Sequence, residues 1–261
     1  MSSTAHAGGI LIPGYGSQAQ PRAGAMTAKA DDPSALFHNP AGLTKMSGTI
    51  IQLGINLVNF TQRFTREGTY DDTPDGLPFA GQPYETVENA SHGAVAIGDF
   101  AVVPLFAAVT DFGLDLPVTF GFGVFVPGSA SVDRDYLDGY ELEANPGEPP
   151  PPGRYDILKQ EALVVLPSFG AGYKVNDKLS LGARLSWGFA HLKATSTTWG
   201  SRNYEETEAF DTTFSLDVKD NFIPAFDVGA LYKPAPNIEL GFNYRSAINI
   251  NAKGDGGVFG L

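Results

Sequence analysis

Residues 178–193, KLSLGARLSWGFAHLK, decide what kind of chain this is. Leu179, Leu181, Ala183, Leu185, Trp187 and Phe189 fall on one parity; Ser180, Gly182, Arg184, Ser186 and Gly188 fall on the other. Successive side chains of a β-strand point to opposite faces, so the stretch reads as a strand with one apolar face and one polar or empty face. The polar face is the informative one. A soluble sandwich turns its charged face to water, whereas here glycine, serine and single charges occupy it, as a lumen holding a plug or a ligand requires.

The same pattern recurs on both sides. In TIIQLGINLVNF (49–60), Ile51, Leu53, Ile55 and Leu57 alternate with Gln52, Gly54 and Asn56. In NIELGFNYRSAININAK (237–253), Ile238, Leu240, Phe242, Tyr244, Ile248 and Ile250 oppose Glu239, Gly241, Asn243, Arg245, Asn249 and Asn251. Noisier versions lie near 100–110, 118–127, 162–174 and 224–232. The spacing predicts about seven strands, several of them near the roughly ten residues that a tilted strand needs to cross a bilayer. Their connections alternate between long (65–95, 129–160, 194–220) and short (110–117, 175–178, 233–237). An outer-membrane barrel has that rhythm, with short periplasmic turns and long external loops. The predicted fold class is all-β, a transmembrane antiparallel barrel.

Composition agrees. The 261 residues include 31 Gly, 19 Pro and 11% aromatics, which suit strands and turns. No run of 18 apolar residues occurs, which excludes a transmembrane helix but not a barrel. A net charge of −12 argues against nucleic acid as a partner. With no cysteine, disulfides and thiolate metal sites are ruled out, and no cofactor is expected. Ala5-His6-Ala7 has the A-x-A form that precedes signal-peptidase cleavage, so residues 1–7 are expected to be a signal-peptide remnant and Gly8 the mature start.

Before the first strand stands ADDPSALFHNPAGL (30–43). Asp32 is placed to cap a helix beginning at Pro33, an apolar turn of Ala35, Leu36 and Phe37 follows, and Asn39-Pro40 ends it because the proline ring pushes Asn39 out of the α region. This knot resembles the N-terminal hatch of FadL/TodX-type outer-membrane transporters, whose hallmark is Asn-Pro-Ala, here Asn39, Pro40 and Ala41. The resemblance continues through FGAGYKVNDKLSLGARLSWGFAHLKA (169–194) and FDVGALYKPAPNIELGFNYRSAININAKGD (226–255), with its Tyr244-Arg245-Ser246 step, and covers the chain from Gly8 onward. It implies a fourteen-stranded barrel plugged by its N-terminus, importing long-chain fatty acids or aromatic hydrocarbons and releasing them sideways into the membrane. Residues 8–47 are then the hatch and 48–261 the first half of the barrel. Seven strands are half of that complement, and an open half-barrel would expose unpaired backbone to lipid, so the chain is expected to be part of a longer one.

The resemblance also directs attention to individual residues. An inward kink of the third strand opens the family's barrel wall beside the hatch. In VTFGFGVFVPGSASVD (118–133), Pro127 cannot donate a ladder hydrogen bond and Gly128 tolerates unusual dihedrals, which makes them the expected kink. The alternative is that they begin an external loop. Arg184 and Arg245 lie on the lumen parity and are candidates to hold a carboxylate head group. The alternative is a salt bridge to the hatch, Glu239 or Asp227. Fatty-acid members place an arginine near the top of the fifth strand, where this chain has Ala194-Thr195-Ser196 with Lys193 the nearest cation; that departure leaves room for a neutral hydrocarbon. Phe37, in the knot, is a candidate ligand contact. Tyr173, Trp187, Phe189, Tyr232 and Tyr244 read as interfacial girdle residues. The acidic first loop (Glu67, Asp71, Asp72, Asp75, Glu85, Glu88) reads as solvated, with divalent cations among lipopolysaccharide phosphates as the other reading.

Expected partners are a hydrophobic small molecule and outer-membrane lipid and lipopolysaccharide, around a monomer in the bacterial outer membrane. An enzyme is not expected. The four histidines (His6, His38, His92, His191) form no visible Ser/His pair, Gly14–Ser17 lacks the G-x-S-x-G elbow, and Gly121-x-Gly123 has no following helix. A structural or adhesion barrel without a transported ligand is the remaining alternative.

Overall fold

The computed structural model describes residues 16–70, 78–92, 96–97, 100–133, 149, 152–153, 155, 157–198 and 212–260. The A-x-A remnant, Asp71, Asp72, Asp75 and most of the proline-rich stretch near 146–154 lie outside the described residues. Helix α1 (Ala35–His38) and a 3-10 turn (Pro40–Lys45) precede eleven strand segments. These are β1 (Thr49–Val58), β2 (Phe60–Thr65), β3 (Thr86–His92), β4 (Ala96–Ile97), β5 (Phe100–Thr110), β6 (Val118–Asp133), β7 (Ile157–Lys174), β8 (Leu179–Thr198), β9 (Thr212–Ala235), β10 (Ile238–Arg245) and β11 (Lys253–Gly260).

All of them pair antiparallel in one sheet, whose through-path is β1-β5-β6-β7-β8-β9-β10. That path has the seven neighbours expected from the alternation. Of the segments off it, β2 and β3 pair with each other, β4 folds back on the start of β5, and β11 pairs with β9 beyond the end of β10. Among the described residues the sheet does not close on itself.

The strands run longer than the sequence suggested. β6 continues to Asp133, β7 starts at Ile157, β8 reaches Thr198 and β9 starts at Thr212, so the long connections shrink at both ends. The added stretches, such as Ala194–Thr198 and Thr212–Ser215, are rich in Thr and Ser. They make the same ladder bonds but lack apolar alternation, which marks only the segment that meets lipid. One expected strand breaks early. β10 stops at Arg245, and Ile248 packs against the buried core rather than sharing the outer face of Leu240 and Phe242.

Burial is inverted relative to a soluble domain. Leu53, Ile55, Leu185, Trp187, Phe242 and Tyr244 are more than half exposed, while Arg184 is 1% exposed and the largest fully buried side chain. Leaving a Leu or Phe in water forfeits about 1.5–3 kcal/mol each. Repeated along every strand of the path, that loss excludes an aqueous outer face and fits lipid contact. The core lies on the other face. Ala30, Ala35, Leu36, Phe37, Leu43 and Met46 from the N-terminal segment pack there against Val103, Leu105 and Val109 of β5, Phe125 and Val126 of β6 and Leu166 of β7.

Candidate functional site

The N-terminal segment is held to the inner face by backbone chemistry built into its sequence. Helix α1 starts two residues later than expected. Ser34 occupies the N-cap without a side-chain cap bond, and Asp32 instead accepts from the Ser34 amide (2.9 Å) and from the Ser34 hydroxyl. The pre-proline residue Asn39 is extended (φ −161°, ψ 103°) and ends the helix, as its position before Pro40 dictates. It also caps the following 3-10 turn, with Oδ1 accepting from the Ala41 amide at 3.1 Å. Its Nδ2 donates to the carbonyls of Thr27 (2.7 Å) and Ala230 (3.2 Å), so one fully buried amide ties the knot to itself and to β9. On β1, Gln52 accepts from the Ser34 amide at 2.9 Å.

The Asn39-Pro40-Ala41 corner sits on glycines. Gly172, Gly182 and Gly229 are direct cross-strand partners on β7, β8 and β9. A Cβ at Gly182 would run into the Pro40–Ala41 peptide, one at Gly229 into Asn39 Oδ1, and one at Gly172 would stand 3.1 Å from the Pro40 carbonyl oxygen. These three positions let backbone approach wall. Sequence reading passed over them, although all lie on the polar parity.

Register places three charges on the adjoining row. Asp227 of β9 faces Arg184 of β8 on one side and Arg245 of β10 on the other. Arg184 Nε donates to Asp227 Oδ2 at 2.9 Å and its Nη2 to the same oxygen, while Arg245 Nε donates to Oδ1 at 2.7 Å. Arg245 Nη2 also donates to the Phe37 carbonyl, and its guanidinium lies 4.1 Å from the centroid of the Phe37 ring. Arg184 lies 5.1 Å from that ring and 5.6 Å from that of Phe125. Asp227 is fully buried. Two cations thus share one anion beneath the knot, and Phe37, itself 7% exposed, is the ring between them and the core. Asp227 as the hub is the salt-bridge alternative the sequence had left open.

Lys193 is not part of this group. It lies on the far half of β8, half exposed, with Nζ 3.9 Å from Asp217, which also meets His191 Nε2 at 2.8 Å.

The wall is interrupted beside the knot. β5 pairs with β6 only from Phe106–Val124 to Thr110–Phe120; among the described residues no ladder pair joins Phe100–Leu105 to β6. β6 regains a partner on that side at Ser131 and Val132, against β3. On its other side the ladder to β7 slips by one residue between Phe125 and Gly128, so that Val126 and Pro127 oppose Val165 alone. This is a β-bulge, and it lies inside the strand instead of opening a loop. Over the gap lies an apolar pocket of about 650 Å³ lined by residues that include Leu53, Ile55, Pro104, Phe106, Val124 and Val126.

Comparison with known proteins follows the same lines. A family model described as outer membrane protein transport protein (OMPP1/FadL/TodX) matches residues 1–260. An outer membrane protein of Neisseria meningitidis serogroup B is 31% identical over 136 residues, half of this chain and a quarter of that one. Among solved structures, a Pseudomonas aeruginosa FadL homologue matches 97% of this chain and 56% of its own, with a TM-score of 0.68 and 19% identity. The Pseudomonas putida toluene transporter TodX matches 81% and 50%, with a TM-score of 0.54 and 17% identity. The chain therefore spans about half the length of these structural relatives, which share its fold, and the family it matches is one of outer membrane transport proteins rather than enzymes.

Proposed function

Because the chain belongs to the OMPP1/FadL/TodX family of outer membrane transport proteins, we propose that it carries hydrophobic small molecules across the bacterial outer membrane and releases them sideways through the gap between β5 and β6. The N-terminal segment up to residue 47 is the hatch of this reading. It fills the inner face without joining the ladder and keeps its own caps, which lets it shift without unzipping the barrel.

The observation that carries the reading is the coincidence of three features at one place: the end of β5–β6 pairing, the bulge at Val126-Pro127 and the apolar pocket. Unpaired strand edges inside a bilayer cost several kcal/mol per polar group, so a persistent break in the wall has to serve a purpose. Deleting Pro127 tests it. The deletion leaves Val126 opposite Val165 and keeps every later β6–β7 pair, so the strand should straighten while the barrel still forms. Uptake of a radiolabelled hydrophobic substrate by cells should then fall to the level of cells lacking the gene. Unchanged uptake in the deletion variant would refute lateral release.

On the substrate, a long-chain fatty acid and an aromatic hydrocarbon make different demands. A fatty acid needs a cation for its carboxylate, and both lumen guanidiniums already engage Asp227. That engagement favours a neutral hydrocarbon, or a fatty acid whose carboxylate displaces the Phe37 carbonyl from Arg245. Displacement of a bound fluorescent fatty acid by toluene-like compounds, compared with displacement by fatty acids, separates the two. Binding of neither class would leave the structural-barrel reading.

A further inference from the structure

The charge of the chain is unevenly distributed. More than half of its 29 acidic residues fall in the three long connections (66–85, 134–156, 199–211). At the opposite, short-turn end, five of its nine lysines line a single pocket of about 280 Å³: Lys29, Lys45, Lys174, Lys178 and Lys233. They come from separate parts of the fold. Lys29 and Lys45 belong to the N-terminal segment, Lys174 ends β7, Lys178 sits in the β7–β8 turn and Lys233 is near the end of β9. Lys174, Lys233 and the neighbouring Ser180 share the inner parity of Gly172, Gly182 and Gly229, so the pocket opens from the inner face at its periplasmic rim.

Two carboxylates partly balance the five ammonium groups. Glu239 takes Lys45 at 2.8 Å, and Asp177 takes Lys174 at 2.8 Å, which holds the Asp177 carboxyl below its usual range. Lys29 turns to Asp31 at 3.1 Å. Among the described residues, Lys178 and Lys233 have no carboxylate within salt-bridge distance, although the Lys233 amide bonds the Lys178 carbonyl at 2.8 Å and so fixes the two side by side. Lys178 and Lys233, held side by side on the wall, repel unless an anion sits between them, and Lys29 and Lys45 of the N-terminal segment line the same pocket.

We propose that this pocket binds a phosphate group, which bridges the N-terminal segment to the β7–β9 wall and steadies it against that wall. The pocket has room for one phosphate and its first substituent. Ammonium groups suit the tetrahedral anion as point charges on flexible stems. The phosphate comes either from a soluble periplasmic phosphate compound or from the head group of an anionic phospholipid at the rim.

The test is thermal unfolding of the full chain in detergent at fixed ionic strength, with chloride replaced stepwise by inorganic phosphate. A parallel series uses micelles doped with phosphatidylglycerol. Protease resistance of residues 16–48 is followed in both. A saturable rise in unfolding temperature and in protection is expected. In Lys178→Gln/Lys233→Gln the apparent affinity should fall roughly tenfold or more for each charge-assisted hydrogen bond lost. Lys178→Arg/Lys233→Arg keeps both charges and should retain binding, which separates loss of the site from loss of the fold. A response to phosphate alone identifies the soluble source, and a response to the lipid alone identifies the head group. A response that does not saturate, or that is the same in the Gln variant, overturns the proposal. This outcome is independent of the uptake result with the Pro127 deletion.

Discussion

Asp227→Asn is the sharpest test of what holds the N-terminal segment in place. The row Arg184–Asp227–Arg245 carries two cations and one anion, and removing the anion leaves both guanidiniums facing an amide of nearly the same shape. Arg184 is 1% exposed. Breaking a buried pair from one side costs about 3–5 kcal/mol, because the charge left behind keeps its full desolvation penalty. Arg245, about a third exposed, adds less. Arg184→Leu makes the opposite change: it leaves Asp227 with Arg245 alone, a neutral pair, and costs mainly the packing of the guanidinium on Phe37 and Phe125. The ranking is therefore the prediction. Asp227→Asn should be the more damaging variant although it removes fewer atoms, and the double variant should recover part of the loss. Urea unfolding in detergent micelles, followed by tryptophan fluorescence, measures all three. If Arg184→Leu is as costly as Asp227→Asn, or if Asp227→Asn costs under about 1 kcal/mol, the buried-charge reasoning of this row is wrong.

Gly182→Val should dislodge the Asn39-Pro40-Ala41 corner, since its Cβ meets backbone that cannot rotate aside. Limited proteolysis should cut within residues 16–48, whereas Gly256→Ala, whose Cβ stays 3.6 Å from its nearest neighbours, should behave as wild type. In the turn after β5, the Asp111 carboxylate accepts from the amides of Gly48 (2.8 Å) and Gly113 (2.8 Å) and braces Phe112 at φ 57°. The Gly48 bond first, and then that of Gly113, lower its pKa below the ordinary 3.8. A carboxyl depressed on folding stabilises the turn above its unfolded value and ceases to do so as pH falls through its folded value. Gly48 and Gly113 amide resonances should thus titrate with a midpoint below 3.8, and in Asp111→Asn that titration should disappear.

The parts of the fold that were legible in the sequence are those in contact with lipid. Leu181, Leu185 and Trp187 are apolar because the bilayer penalises polar groups on the outer face, and in β1, β8 and β10 the polar inner residues turn that into a period of two; β5 loses the alternation because its inner Val103, Leu105 and Val109 pack on the N-terminal segment. Beyond the bilayer the pressure ends. Thr195 and Ser215 pair across β8 and β9 as regularly as their apolar neighbours, but nothing in their chemistry distinguishes a solvated strand from a loop, so the ladders there were underestimated. The site divides along a different line. Asn39-Pro40 announces a stop whatever surrounds it, because the restriction on a pre-proline residue is local. Asp227 between two arginines, or three glycines in a row beneath a proline, exists only once register is known, since a one-residue slip sends Asp227 to the lipid face. Parity alone puts Arg184 and Arg245 on one face, with Asp227 among the candidate salt-bridge partners. Turn lengths of two to four residues at Val175–Lys178 and at Pro236-Asn237 then fix which rungs meet, so register was partly within reach. What those turns do not carry is the position of the N-terminal segment, because it meets the wall through side chains, apolar packing and the Phe37 carbonyl, with Ser34, Asn39 and Lys45 among its contacts, and through no ladder pair among the described residues.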